Sequence, residues 1–131
     1  MTRQQKTAPT LTPLELKIMQ VLWESGPSTV AEVQSRLSPD LAYTTVQTML
    51  NVLLRKARAK RVAEGRAFRY QAAISRERAA GSAVHDLVKR MFGGSPEALL
   101  MAMAEARQIS AQELERVARH LASAKSQPEE E

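Results

Sequence analysis

The chain has no cysteine. That excludes disulfides, thiol catalysis and cysteine-ligated metals, and it suits a reducing compartment. No apolar run approaches the roughly 18–20 residues that a membrane span requires. The opening MTRQQKTAPT has no apolar segment behind its charges, so it does not read as a secretory signal. A cytoplasmic protein is expected. Catalytic constellations are missing too. The two histidines, His85 and His120, belong to no HExxH motif, and no acid cluster stands at ligand spacing. There is no glycine-rich phosphate loop. Neither an enzyme nor a cofactor or metal site is expected, and the histidines read as helix-surface or interface residues.

A further absence is local. Between Asp40 and Glu64 there is no acidic residue, while seven basic side chains fall from Arg55 to Arg69 with Glu64 as the one acid among them. The net charge of +5 is unevenly placed. Residues 1–73 carry 11 basic and 5 acidic side chains, and residues 74–131 carry 8 and 9. Asymmetry of this kind points to a polyanion partner for the first part.

At 131 residues the chain is one domain, or a small domain with an appendage, and it is long enough for a core without staples. Residues 1–11 read as a polar arm. TPLE at 12–15 is a helix start: Thr12 caps, Pro13 suits the first position and Glu15 completes a capping box. Leu14, Ile18, Val21 and Leu22 then form a stripe that ends near Gly26-Pro27. Thr29 and Glu32 open a second, short helix that stops at Ser38-Pro39. A third begins near Tyr43, with Val46, Met49, Leu50, Leu53 and Leu54 on its apolar side. After it, KRVAEGRAFRYQA alternates around Glu64-Gly65 and reads as a β-hairpin, with glycine supplying positive φ. Helix, helix, helix and hairpin over residues 12–73 make a winged helix-turn-helix. The remainder is helical. Ser75 to Phe92 carries Ala80, Val84, Leu87 and Met91 on one stripe. Ser95-Pro96 opens an apolar helix, and Ser110 with Glu113 caps a third that carries Leu114, Val117 and Leu121. Residues 74–124 read as a helical unit and 125–131 as a frayed tail. The fold class expected is mainly α with one small hairpin.

The third helix has a second row. Thr44, Gln47, Thr48, Asn51 and Arg55 recur at helical spacing, with Thr45 beside them in the first turns. A solvated face usually mixes Glu with Lys, and this one offers hydroxyls, amides and a guanidinium. A helix that enters the DNA major groove needs hydrogen-bonding tips for base edges and no carboxylate against phosphates. Each feature alone has a bland reading as solvated surface. Helix, basic run and wing in this order favour DNA, with Arg55, Lys56, Lys60, Arg61 and Arg66 as further contacts. Trp23 reads by default as a packing residue, with stacking on an effector as the alternative.

LTPLELKIMQVLWESGPSTVAEV, AYTTVQTMLNVLLRK, GRAFRY and MFGGSPEALL occur in that order. In these segments the chain resembles the BlaI/MecI-type penicillinase repressor family of bacterial transcriptional regulators, from about Leu11 to Leu121. The resemblance implies an N-terminal winged helix, a C-terminal dimerisation region, and repression by a homodimer on a double-stranded, dyad-symmetric operator. It also implies relief when a membrane-bound sensor protease causes cleavage near Met101-Ala102, although the Asn-Phe type of pair is absent there. The apolar residues expected to serve dimerisation are Val84, Leu87, Met91, Leu99, Leu100, Met103, Leu114, Val117 and Leu121. Two departures stand out. Ala57 occupies the place of a family glycine, so the third helix either runs on or stops with Ala57 strained. The Cys-x-Cys cluster of copper-responsive relatives is missing. Other readings stay open. One is a winged-helix module for protein or RNA. Another is a small-molecule sensor, ranked last because nothing polar converges among the apolar C-terminal helices.

Overall fold

In a computed structural model that describes residues 11–37 and 40–125, the chain forms six helices and a hairpin. In order these are α1 (Pro13–Ser25), α2 (Val30–Arg36), α3 (Tyr43–Arg55), β1 (Ala59–Glu64), β2 (Ala67–Ala72), α4 (Arg76–Met91), α5 (Pro96–Glu105) and α6 (Ala111–Lys125). Residues 1–10, the Ser38-Pro39 stop and residues 126–131 lie outside the described residues. The chain divides into two compact units at Asp86 and Leu87, inside α4. The physical reason is that the first turns of α4 line a cavity with α1, so they go with the first unit.

Local chemistry fixes the helix starts. Thr12 and Thr29 each accept the N–H three residues on, while Glu15 and Glu32 reach back to the cap N–H. Ser75, Ser95 and Ser110 accept from Arg78, Ala98 and Glu113 in the same way. Each such cap satisfies orphan donors and contributes about 1 kcal/mol. The first unit then closes on Ile18, Met19, Leu22, Val33, Val46, Leu50, Leu53 and Tyr70, all buried. One element was not read from the sequence. Ser28 exchanges both backbone hydrogen bonds with Tyr70, at 2.9 and 2.8 Å, and so adds a third strand position to the hairpin. That bridge ties the wing to the loop between α1 and α2.

The hairpin turns on two residues. Glu64 pairs with Ala67, and Gly65 takes φ +62° while Arg66 does not enter the left-handed region, the pattern of a type II′ turn. Between α3 and the hairpin the chain reverses sharply. The N–H of Arg58 returns to the carbonyl of Leu53 at 2.9 Å and that of Ala57 to Leu54 at 3.0 Å, the paired bonds of a Schellman stop. Ala57 sits at φ +60°. Of the two outcomes left open by the missing glycine, the helix stops and the alanine carries the strain.

Glu15 does more than cap. It is buried, and Lys56 donates to both its carboxylate oxygens at 2.9 and 3.0 Å. Burial pushes the carboxyl up, but the Lys56 hydrogen bond, the Thr12 N–H and the Lys56 charge outweigh it and hold the pKa below the ordinary value. The pair joins the start of α1 to the end of α3 across 41 positions.

The second unit is built otherwise. Gly93 and Gly94, both at positive φ, close α4, and Arg107 at φ +60° ends α5 with another Schellman pair. Within this unit Val88 is the one buried apolar side chain among the described residues. Described side chains of α6 from position 111 to 124 are exposed without exception.

Two outcomes follow from the α3 stop. Ala57→Gly should raise stability by about 0.5–1 kcal/mol, the αL strain less the added freedom of the unfolded chain, measured by urea unfolding. Lys56→Met should cost about 1–3 kcal/mol at neutral pH by leaving a buried carboxylate unpaired. The pH response should also weaken. In the native chain the stabilisation from Glu15 is present above the ordinary carboxylate value of 4.5 and is lost as pH falls through its lower folded pKa. In Lys56→Met burial is opposed by the Thr12 hydrogen bonds alone, so less stability should be lost as Glu15 is protonated. Unfolding curves at neutral and acidic pH separate these cases, and equal acid loss in both proteins would remove the pair from its structural role.

Candidate nucleic-acid interface

The turn between α2 and α3 is braced by Gln34, whose side-chain amide donates to the Leu41 carbonyl at 2.9 Å. This sets the start of α3 against the first two helices. Val46, Leu50 and Leu53 then bury one face of α3. By helical period the opposite face points outward, and Thr44, Thr45, Gln47, Thr48 and Arg55 are all exposed there, with Asn51 half-buried. Thr44, Thr45 and Thr48 line one shallow hollow with Met49. The residues of the sequence row are therefore brought onto one accessible surface.

The start of α3 differs from the other described helix starts. Its N-cap is Ala42, no side chain caps it, and its first turn holds no acid. A helix N-terminus presents backbone N–H donors and a partial positive charge, which suits a phosphate. A serine or threonine cap marks the sequence of each of the other starts. Here the signal was the absence of one.

The basic run divides into two groups. Lys56 is committed to Glu15, and this withdraws its charge from the outer surface. Arg58 is buried. Arg69 bonds Glu32 at 2.9 Å and pairs with Glu64, with a longer contact to the Pro27 carbonyl. Those bonds raise its pKa, Glu64 first and then Glu32, and the N–H of Thr29 together with Arg69 lowers that of Glu32. The second group faces solvent. Arg55, Lys60, Arg61 and Arg66 are exposed. Among the described residues none of these four has an ion pair. Arg66 occupies the second position of the hairpin turn.

Arg61 is held in place by a residue read from the sequence only as part of the hairpin's alternation. Its guanidinium lies 4.0 Å from the centre of the Phe68 ring. Register explains the pairing: Phe68 opposes Ala63 and Tyr70 opposes Arg61, so all four share a face of the hairpin. Stacking on a ring leaves the edge of a guanidinium open for hydrogen bonds. Lys60, one residue earlier, falls on the opposite face with Gln71. The expected wing contacts are thus split between two faces and a tip. The arrangement offers uncharged hydrogen-bonding tips on a helix, an uncapped helix start and cations beside it.

The residues assigned to dimerisation sit elsewhere. Leu87, Met91, Leu100, Leu114, Val117 and Leu121 of the second unit are exposed, as is Val84 on α4, while Leu99 and Met103 are half-buried. Met101 is exposed and Ala102 half-buried, both within α5. His85 and His120 are exposed. No described helix is long and apolar enough to cross a membrane.

The sequence model of a family described as penicillinase repressor matches residues 11–123. Transcriptional regulator BlaI of Mycobacterium tuberculosis is 37% identical over 113 residues, which covers 83% of this chain and 80% of that protein. The penicillinase repressor of Bacillus licheniformis is 28% identical over 111 residues, covering 83% and 87%. Among solved structures, the monomeric form of Bacillus licheniformis BlaI in complex with the blaP half-operator is 32% identical. It covers 56% of this chain and 92% of that one, with a TM-score of 0.46. The chain belongs to the penicillinase repressor family, a family of DNA-binding transcriptional repressors and not of enzymes.

Proposed function

We infer that the protein represses as a homodimer, which sets two winged helices on the half-sites of a dyad-symmetric operator. The observation that carries the reading is the exposed, acid-free row of α3 beside an exposed set of cations. Thr44, Thr45, Gln47 and Thr48 meet base edges in the major groove, with Asn51 at the edge of that surface. Gln47 suits adenine bidentately, and threonine methyls suit the thymine methyl. Arg55, Lys60, Arg61 and Arg66 meet sugar and phosphate. Lys56 anchors α3 from within and leaves phosphate contact to its neighbours.

The dimer is supported by what the second unit lacks. Helices with exposed apolar stripes and almost no buried side chain do not persist alone in water. A second copy is the simplest cover, and two-fold pairing the commonest geometry. Linkage then multiplies affinity. With one wing binding at about 10 μM and the second seeing about 1 mM, the gain is about 100-fold. Cleavage in α5 at Met101-Ala102, under the control of a membrane-bound sensor protease, would remove it. That bond is helical, so the turn around it has to unwind before a protease accepts it.

Three measurements test the reading. Gln47→Ala and Thr48→Ala should each cost about 1–3 kcal/mol on the cognate site and change base preference. Unchanged preference at every operator position removes both from base reading. Arg66→Ala should weaken binding about equally on all sequences and reduce the salt slope by about one unit per half-site. An unaltered slope means that Arg66 does not touch the backbone. Finally, the full chain should sediment as a dimer and residues 1–86 as a monomer with about 100-fold weaker operator binding. A monomeric full chain, or a fragment that binds as tightly as the whole, overturns the dimeric mechanism.

A further inference from the structure

The two faces of the hairpin have different surroundings. Register places Ala59, Arg61 and Ala63 of β1 on one face with Ala72, Tyr70 and Phe68 of β2. Near its root this face is core: Ala59 and Tyr70 are buried in one cluster with Val46, Leu50 and Leu53 of α3. The face is therefore turned toward α3. Nearer the tip the core ends, and Phe68 stays 41% exposed beside the buried Tyr70. What the ring carries there is Arg61. The two are diagonal neighbours, since Arg61 opposes Tyr70 and Phe68 opposes Ala63, and a diagonal pair is within reach of a long side chain and a ring. The Arg61 guanidinium carbon lies over the ring at 4.0 Å from its centre. Among the described residues Arg55, Lys60 and Arg66, the other exposed cations of the run, stack on no ring.

This stack has a use that an ion pair would not have. An arginine that is free in water loses rotamer freedom when a partner fixes it, and the loss weakens binding. A ring beneath the guanidinium removes part of that loss beforehand. The flat face rests on the ring, the N–H fork at the edge stays open, and the fork matches a phosphate in shape as well as charge. A carboxylate would also fix the side chain, but it would neutralise it, as Glu32 and Glu64 do for Arg69 on the opposite face of the hairpin. A ring holds the cation through its quadrupole and leaves the charge available to a polyanion.

We propose that Phe68 is a positioning residue for DNA binding, and that it presents the Arg61 fork to a backbone phosphate on the α3 side of the wing. The inference rests on the DNA-binding reading of this surface. The probe is a duplex that the full-length protein itself enriches from a random-sequence pool. Phe68→Leu keeps an apolar side chain and every charge. It should weaken binding by about threefold per half-site, or about tenfold for two, the worth of an exposed stack. Phe68→Tyr keeps the ring and should bind as the native chain does. Arg61→Lys keeps the charge and loses the flat fork, so it should lose as much as Phe68→Leu. Arg61→Ala should weaken binding and lower the salt slope by about one unit per half-site. In that background Phe68→Leu should change nothing further, because the ring acts through the arginine. Thermal unfolding checks the folded state of each variant, and Arg61→Lys, which leaves the ring intact, decides the question if Phe68→Leu unfolds. The proposal is overturned by an equal loss from Phe68→Leu with and without Arg61, by full binding in Arg61→Lys, or by a loss in Phe68→Tyr as large as that in Phe68→Leu. An Arg61→Ala chain that binds as tightly as the native one overturns it too, and leaves the row on α3 untouched. If no duplex is enriched, the DNA-binding reading itself fails.

Discussion

The stop of α3 at residues 56–58 is the constraint on which the first unit depends. Three bonds meet there. Lys56 ties the helix end to Glu15 at the start of α1, Ala57 and Arg58 return to Leu54 and Leu53, and the Arg58 carbonyl receives Ala73. The direction of the hairpin follows from this reversal, since β1 begins at the next residue. Its other end is pinned by the Ser28 and Tyr70 exchange. A wing held at both its root and its second strand cannot swing freely. Arg66 at its tip and Arg61 on its face therefore keep fixed offsets from the row on α3, which is what the proposed reading of a duplex requires.

What the sequence disclosed was local. Caps at Thr12, Thr29, Ser95 and Ser110 were legible because cap and partner lie three residues apart. The hairpin was legible because alternation around Gly65 needs a window of about a dozen residues. The row on α3 was legible from period alone. What stayed hidden was non-local. Glu15 gave every sign of an ordinary capping residue, and its bond to Lys56 spans 41 positions. Ser28 sits in a loop with no strand pattern, and its pairing depends on where Tyr70 arrives. Arg58 looked like part of a solvated basic run, but the reversal at Ala57 turns it inward.

The basic run shows why a charge count overstates an interface. Seven cations lie between Arg55 and Arg69. Lys56 and Arg69 balance carboxylates of the fold, and Arg58 lies inside. Four remain exposed, and they sit on the helix end, on both faces of the hairpin and at its tip. On the proposed reading, placement of this kind tracks a curved backbone better than a flat patch would. It also limits indiscriminate attraction, since the long-range field is set by the net charge and not by the gross count of cations.

The scant burial in the second unit reaches beyond DNA. On the dimeric reading, an unpartnered chain leaves the stripes of α5 and α6 in water, and pairing covers them. The stability of this unit then rises with protein concentration, because folding and pairing are linked by mass action. A partial chain that retains the C-terminal helices would enter mixed pairs with one reading head, and would lower occupancy across the whole population.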